Sequence, residues 1–318
     1  MPKPKIFITR NIPQPALDRL AEVFDISIHA NDKAIGRQQL MQDVKDMDAL
    51  LCLLTDSIDK ELLEAAPRLK CVSNLAVGFN NIDLEYANSR NIAVCNTPGV
   101  LTETTADLTW ALLLACARRV VEADNYARSG RFEGWEPLLM LGVDVFSKTL
   151  GIIGMGRIGS AVARRAEGFG MKVLWFDPQV DPKTVSDKYE RADLRHLCSS
   201  SDFISIHVPL TPDTHHLVNS ELLSLMRPTA VLINTARGPI VDEEALIKAL
   251  RDKKIAAAGL DVFENEPEIP AELLELENAV LLPHIGSASI ETRTKMALMA
   301  AENAIAVIQG TEPPARVN

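Results

Sequence analysis

Between Thr149 and Asp177 the chain reads T-L-G-I-I-G-M-G-R-I-G and continues to V-L-W-F-D. The apolar run Leu150 to Ile153 has strand character and stops at Gly154. Gly154, Gly156 and Gly159 then fall at the spacing G-x-G-x-x-G. Beyond them Ile158, Ala161, Val162, Ala166 and Phe169 recur at helical spacing, and a second strand-like run, Lys172 to Phe176, ends in Asp177. Strand, glycine turn, helix, strand and terminal acid make a dinucleotide-binding βαβ unit. Each part has a physical reason. Gly154 permits the tight turn, Gly156 lets backbone approach a pyrophosphate, and Gly159 lets the helix lie close on the sheet. The first turn of the helix, with Arg157 and Ile158, offers unpaired N–H groups and a positive dipole end to the phosphates. Asp177, about 20 residues on, is placed to accept hydrogen bonds from a ribose and would repel a 2′-phosphate. NAD(H) is therefore the preferred cofactor, with NADP(H) a second option.

The rest of the chain repeats the same alternation. Strands are expected at Lys5–Thr9, Ile26–His29, Ala49–Leu53, Lys70–Asn74 and Ile92–Cys95, with helices at Pro15–Val23, Arg37–Val44 and from Asp59. After Thr97-Pro98-Gly99 one long helix is expected from Thr102 to about Ser129. Further strands follow at Phe203–His207, Ala230–Asn234, Ala257–Leu260 and Val280–Leu282, with helices at Ser220–Met226, Asp242–Arg251 and Ser289–Gln309. This order implies α/β architecture: two doubly wound parallel-sheet, Rossmann-like domains with a cleft between them as the ligand site. The division is discontinuous. Residues 1–100 plus 287–318 form a flavodoxin-like substrate-binding domain, and residues 101–286 form the NAD-binding Rossmann domain.

The 318 residues suit two domains. The net charge of −10, with no Lys/Arg cluster, argues against nucleic acid as a partner. No apolar run approaches the roughly 20 residues of a membrane span, and the start M-P-K-P-K-I-F lacks a signal-peptide core. Cys52, Cys71, Cys95, Cys116 and Cys198 show no metal-ligand spacing and are expected to be buried, reduced thiols of a cytoplasmic protein. No metal site is expected. His29, His196, His215 and His216 are read as structural. The 130–147 loop, with Trp135, Pro137 and the run Leu138, Leu139 and Met140, is too apolar for ordinary exposure and suggests a homodimer contact.

Three residues stand out chemically. Arg237, in I-N-T-A-R-G-P-I-V-D, brings a permanently charged planar fork to the carboxyl end of a buried strand, where it suits a carboxylate or keto oxygen. Glu266, in D-V-F-E-N-E-P, and His284, in L-L-P-H-I-G-S, supply the carboxylate and imidazole of an acid/base pair. His207, in I-H-V-P, ends a strand and is assigned to the adenine side.

Taken with V-G-F-N-N-I-D (Val77–Asp83), G-M-G-R-I-G, N-T-A-R-G-P-I-V-D and G-L-D-V-F-E-N-E-P, these stretches resemble the D-isomer-specific 2-hydroxyacid dehydrogenase family over essentially the whole chain. L-T-E-T-T-A-D and G-W-E-P-L-L bring it nearest to the glyoxylate/hydroxypyruvate reductases. The resemblance implies a homodimeric enzyme that reduces small 2-keto acids to 2-hydroxy acids. Arg237 would bind substrate, and His284, paired with Glu266, would be the acid/base. The amides of Val77 and Gly78 would hold the substrate carboxylate, with Leu53 and Leu75 shaping the pocket. The same resemblance places Thr105, Val208, Pro209, Thr214, Thr235, Ala236, Asp261, His284 and Gly286 at the cofactor, Asp261 meeting the carboxamide. Glu266 departs from formate dehydrogenases, which carry Gln there, and Ala76 from phosphite dehydrogenases, which carry Lys. A dehydrogenase of a bulkier 2-hydroxy acid, such as 2-ketogluconate or an aryl lactate, and a dinucleotide sensor similar to C-terminal-binding co-repressors remain alternatives.

Overall fold

In the computed structural model, residues 2–31 and 33–318 are described. They divide into two compact units, residues 1–101 with 287–318 and residues 102–286.

The first unit holds a five-stranded parallel sheet of β1 (Lys5–Ile8), β2 (Asp25–Ile28), β3 (Ala49–Cys52), β4 (Cys71–Asn74) and β5 (Ala93–Cys95), in the order β2-β1-β3-β4-β5. β3, β4 and β5 are buried along their length, as strands covered on both faces must be. One face is covered by the helix Ile290–Gln309. Its Met296, Ala297, Ala300, Ala301, Ala304 and Ile305 pack with Ile6, Ile8, Leu51 and Leu75. Small alanine side chains let this helix lie close, and Ser73 donates a 2.8 Å hydrogen bond to its Ala300 carbonyl.

The second unit holds seven parallel strands: β6 (Thr149–Ile153), β7 (Lys172–Phe176), β8 (Glu190–Arg191), β9 (Phe203–Ile206), β10 (Val231–Asn234), β11 (Ala257–Leu260) and β12 (Ala279–Leu281). Their order is β12-β11-β10-β9-β6-β7-β8. The chain runs outward from β6 on one side, then returns to β9 and runs outward on the other. The turn after β6 thus lies at the point where the order reverses, the position at which open α/β sheets bind ligands.

The helix expected from Thr102 to Ser129 is two helices, Thr102–Ala117 and Val120–Arg128. Arg119 between them is left-handed, with φ of 52°. The Ala117 carbonyl accepts from the Val143 N–H at 2.8 Å, which diverts it from continuing the helix. Gly142 makes that approach feasible, because a Cβ there would lie 2.2 Å from the Ala117 oxygen. Short helices at Leu84–Ser89 and Leu194–Ser200, absent from the sequence reading, are opened by Asp83 and Asp193, whose carboxylates accept from Tyr86 and His196 N–H groups. The remaining expected strands and helices form with ends shifted by one or two residues.

Candidate active site

The glycines after β6 divide their work as their surroundings dictate. Gly154 has φ of +99°, and a Cβ there would lie 2.6 Å from the His207–Val208 peptide. At Gly159 a Cβ would lie 1.9 Å from the Gly154 carbonyl, so the helix Arg157–Glu167 can sit on the turn only without a side chain. Gly156 is different: it is exposed, and a Cβ would meet nothing within 4 Å. Its lack of a side chain serves no packing need, and it leaves open the space at the N-terminus of an 11-residue helix. That is what a dinucleotide pyrophosphate requires. Arg157 is exposed and Ile158 half-buried beside it.

Asp177 is 8% exposed and already engaged. One oxygen accepts from the Met155 N–H at 2.9 Å and the other from the Gln179 N–H at 2.8 Å. It therefore braces the glycine turn from the end of β7, a role not read from the sequence.

On the other side of the reversal, His207 is joined by its Nε2 to Ser205 Oγ at 2.8 Å. Burial pushes its pKa down to about 3, so the ring is neutral near pH 7. Thr214 Oγ1 donates to the Pro209 carbonyl at 2.6 Å, closing the loop beyond Val208.

After β10, the Asn234 side chain organises the turn. Its Oδ1 accepts from the Ala236 N–H at 3.0 Å and its Nδ2 donates to the Arg237 carbonyl at 2.9 Å. Arg237 emerges half-buried, with Nη1 donating to the Ala236 carbonyl at 2.6 Å. Burial lowers its pKa, opposed by the negative charge of Glu266.

Glu266 Oε2 lies 2.7 Å from His284 Nδ1, and Glu266 Oε1 accepts from the Phe263 N–H at 3.1 Å. Burial, the largest influence, pushes the Glu266 carboxyl upward. The hydrogen bond and charge of His284, the Phe263 N–H and the charge of Arg237 together outweigh it and hold the group below its usual range. His284 itself is left-handed, with φ of 53°, a conformation that costs a non-glycine residue about 1–3 kcal/mol and persists only where neighbours enforce it. Asp261 enforces it: one oxygen accepts from the Ile285 N–H and the other from the Gly286 N–H, both at 2.7 Å. The buried Asp261, whose carboxyl is raised by desolvation against those two amides, is thus the brace of the His284 turn. Each of its oxygens keeps a lone pair for a further donor. Thr105 comes close to this corner, since a Cβ on Gly286 would lie 3.1 Å from Asp261 Oδ2 and 3.6 Å from Thr105 Cγ2. Thr235 is linked in through Thr109, at 2.9 Å between hydroxyls.

In the first unit, the Val77 and Gly78 peptides are fixed through their carbonyls, which accept from Asn96 Nδ2 at 2.7 Å and Asn74 Nδ2 at 2.9 Å. Leu53 is half-buried, but Leu75 is 7% exposed and belongs to the core, so its side chain shapes that face from behind. Asn74, Asn81 and Asn96, which hold this loop, were not singled out in the sequence. Their signal was faint, being ordinary polar residues in and after strands. All five cysteines are free and buried. Among the described residues no helix is long and apolar enough to cross a membrane.

Comparison with known proteins follows the same line. The signature described as D-isomer specific 2-hydroxyacid dehydrogenase, NAD binding domain, matches residues 110–286. A glyoxylate reductase of Korarchaeum cryptofilum is 52% identical over 321 residues, covering 99% of this chain and 96% of that protein. A solved structure from Thermus thermophilus superposes with a TM-score of 0.94 at 46% identity, covering 99% of this chain and 100% of the other. An NADPH-dependent glyoxylate/hydroxypyruvate reductase of Sinorhizobium meliloti, solved with NADP and malonate, superposes at 0.87 with 35% identity, covering 99% and 97%.

Proposed function

The chain belongs to the D-isomer-specific 2-hydroxyacid dehydrogenases, nicotinamide-dependent oxidoreductases, and from that premise we propose that it reduces glyoxylate and hydroxypyruvate with NADH. The observation that carries the chemistry is the 2.7 Å contact of His284 Nδ1 with Glu266 Oε2, beneath a half-buried Arg237 whose charge reaches Glu266. With Nδ1 committed to the carboxylate, Nε2 is the ring nitrogen available to a substrate. A reduced nicotinamide, when bound, supplies the hydride to the carbonyl carbon. Arg237 orients the keto acid and draws density toward its oxygen, and His284 Nε2 gives that oxygen a proton as the C=O bond becomes C–OH. Glu266 stabilises the imidazolium before the transfer and keeps the ring in place after it. In the reverse direction the neutral ring removes the hydroxyl proton. Val77 and Gly78 amides are assigned to the substrate carboxylate.

NADH preference is assigned to Asp177, whose buried carboxylate at the end of β7 would face a 2′-phosphate with like charge. The relative crystallised with NADP uses NADPH by its own description, so the two cofactors have to be compared directly. A homodimer is assigned to the 130–147 loop, where Phe132, Trp135, Leu138, Leu141 and Phe146 are exposed, Trp135 at 84%; Val120 and Val121 in the preceding helix are exposed too. The five free thiols suit a reducing, cytoplasmic setting.

The test is loss of nicotinamide absorbance with purified protein, NADH or NADPH, and glyoxylate, hydroxypyruvate, pyruvate, 2-ketogluconate or phenylpyruvate. Fast NADH oxidation with the first two is expected. Faster turnover of a bulky acid would move the substrate, and NADH binding with no turnover of any acid would overturn the reductase. Light scattering of a Trp135→Glu, Leu138→Glu variant checks the dimer: it should run at half the mass.

A further inference from the structure

We propose that His215, His216 and Glu264 form a binding site for a divalent transition metal ion, zinc by the chemistry of its donors. One donor atom from each lies within 4.8 Å of the others. His216 Nε2 is 2.9 Å from Glu264 Oε1, and the rings of His215 and His216 stack at 4.1 Å between centroids and 29° between planes. A structural His–Glu pair needs one imidazole, and consecutive side chains on extended backbone point to opposite sides. His216 is left-handed here, with φ of 50°, and that turn is what brings both rings to one side. The strained conformation is anchored from outside, because the His216 N–H donates to the Pro239 carbonyl at 2.8 Å.

The carboxylate is held as a ligand would be. Glu264 donates its own N–H to Glu243 Oε1 at 3.2 Å, and its Oε2 accepts from the Glu243 N–H at 3.4 Å. Glu243 is 8% exposed and adds a second acidic group behind the first. Such outer partners fix ligand orientation and raise ligand basicity. The partly exposed side of the site is His215, which leaves an approach from solvent. Two imidazoles and one carboxylate exclude the all-oxygen preference of calcium and magnesium, and the absence of thiolate disfavours copper(I). Zinc takes three such ligands plus water, with donors about 3.3 Å apart in a tetrahedron of about 2.0–2.2 Å bonds. The His216–Glu264 contact has to open by only a few tenths of an ångström, and the exposed His215 ring has to turn inward. None of these residues belongs to the acid/base pair.

The experiment is a calorimetric titration of the full chain, stripped with EDTA and dialysed, with zinc chloride alone. One ion per chain with micromolar or tighter Kd is expected, together with a rise in Tm on zinc addition. His215→Ala should weaken binding at least tenfold while changing Tm in EDTA little, because His215 is exposed and loses only its stacking on His216. Glu264→Gln should weaken it likewise and lower Tm in EDTA. Absence of zinc uptake, or wild-type affinity in both variants, would overturn the site. No cofactor or substrate is present, so the outcome is independent of the proposed reductase activity.

Discussion

Both sheets reverse their strand order once, between β1 and β3 in the first unit and between β6 and β9 in the second, and the two reversal points are built in opposite ways. In the first unit the point is closed by side chains. Asp56, 5% exposed, accepts from the Thr9 hydroxyl at 2.5 Å and from the Leu53 N–H at 2.8 Å. In the second unit the point carries Gly154 and the uncrowded Gly156, and the nearby acid, Asp177 at the end of β7, stands back and holds the turn by its backbone. One topology therefore gives a bare turn or one bonded by side chains, depending on whether the loops at the reversal carry glycine or hydrogen-bonding side chains. Topology alone does not assign a ligand.

The largest effect that would sharpen this contrast lies in the second unit. His284→Ala should lower kcat by about 10³-fold or more, within the range for a lost general acid/base, while the Kd for NADH, read by fluorescence, stays within a factor of about three. A smaller loss in kcat would detach His284 from the chemistry. Next come the glycines. Gly156→Ala should weaken NADH binding by about 100-fold, close to 3 kcal/mol, with Tm unchanged, because its Cβ meets nothing in the protein. Gly159→Ala should instead unfold at lower temperature, at a cost of about 3 kcal/mol, because its Cβ meets backbone at 1.9 Å. Identical behaviour of the two variants would break the comparison.

Then come the acids. Asp56→Ala leaves Thr9 and Leu53 donors unpaired and should cost about 2 kcal/mol in urea unfolding with no change in cofactor affinity. Asp177→Ala should lower the NADH:NADPH ratio of kcat/KM by about tenfold, the equivalent of about 1.4 kcal/mol.

The last test is a slope with pH. His207 is neutral in the folded state, with its pKa near 3, against about 6.5 in an unfolded chain. Between those values the unfolded state binds the extra proton, so its contribution is full above pH 6.5 and is lost as pH falls, by about 1.4 kcal/mol per pH unit at most. Urea midpoints from pH 7 to 5 should fall less steeply in His207→Asn than in the parent.

What was legible in the sequence followed from local rules. Continuous apolar runs such as Val231–Asn234 announced buried parallel strands, and the βαβ glycine spacing announced its turn. What was not legible is set where distant residues decide. Arg119 ends a helix because Val143 takes the Ala117 carbonyl, and no periodicity in Thr102–Ser129 carries that. The two amides that Asp261 holds lie 24 and 25 residues away, so its bracing of the His284 turn has no local mark. Glu264, 48 residues from His216, has no local mark as its neighbour. Arg237, Glu266 and His284 were legible as reactive types at strand ends and in the loops beyond them. Their mutual geometry needed the fold.

The split of the first unit across the chain sets a schedule for synthesis. Strands β1 to β5 leave the ribosome early, but the helix Ile290–Gln309 that covers one face of their sheet, and Asn318, whose Oδ1 accepts from the Val94 N–H at 2.8 Å, come last. At about 5–20 residues per second, the roughly 200 residues between take about 10–40 s to make. Residues 102–286 can close in that interval, while Ile6, Ile8 and Leu51 have Ala16 and Leu20 beside them but lack the later helix. The part of the chain made first is thus the last to finish folding, and a nascent chain stalled before residue 290 would display an apolar sheet face for chaperones to guard.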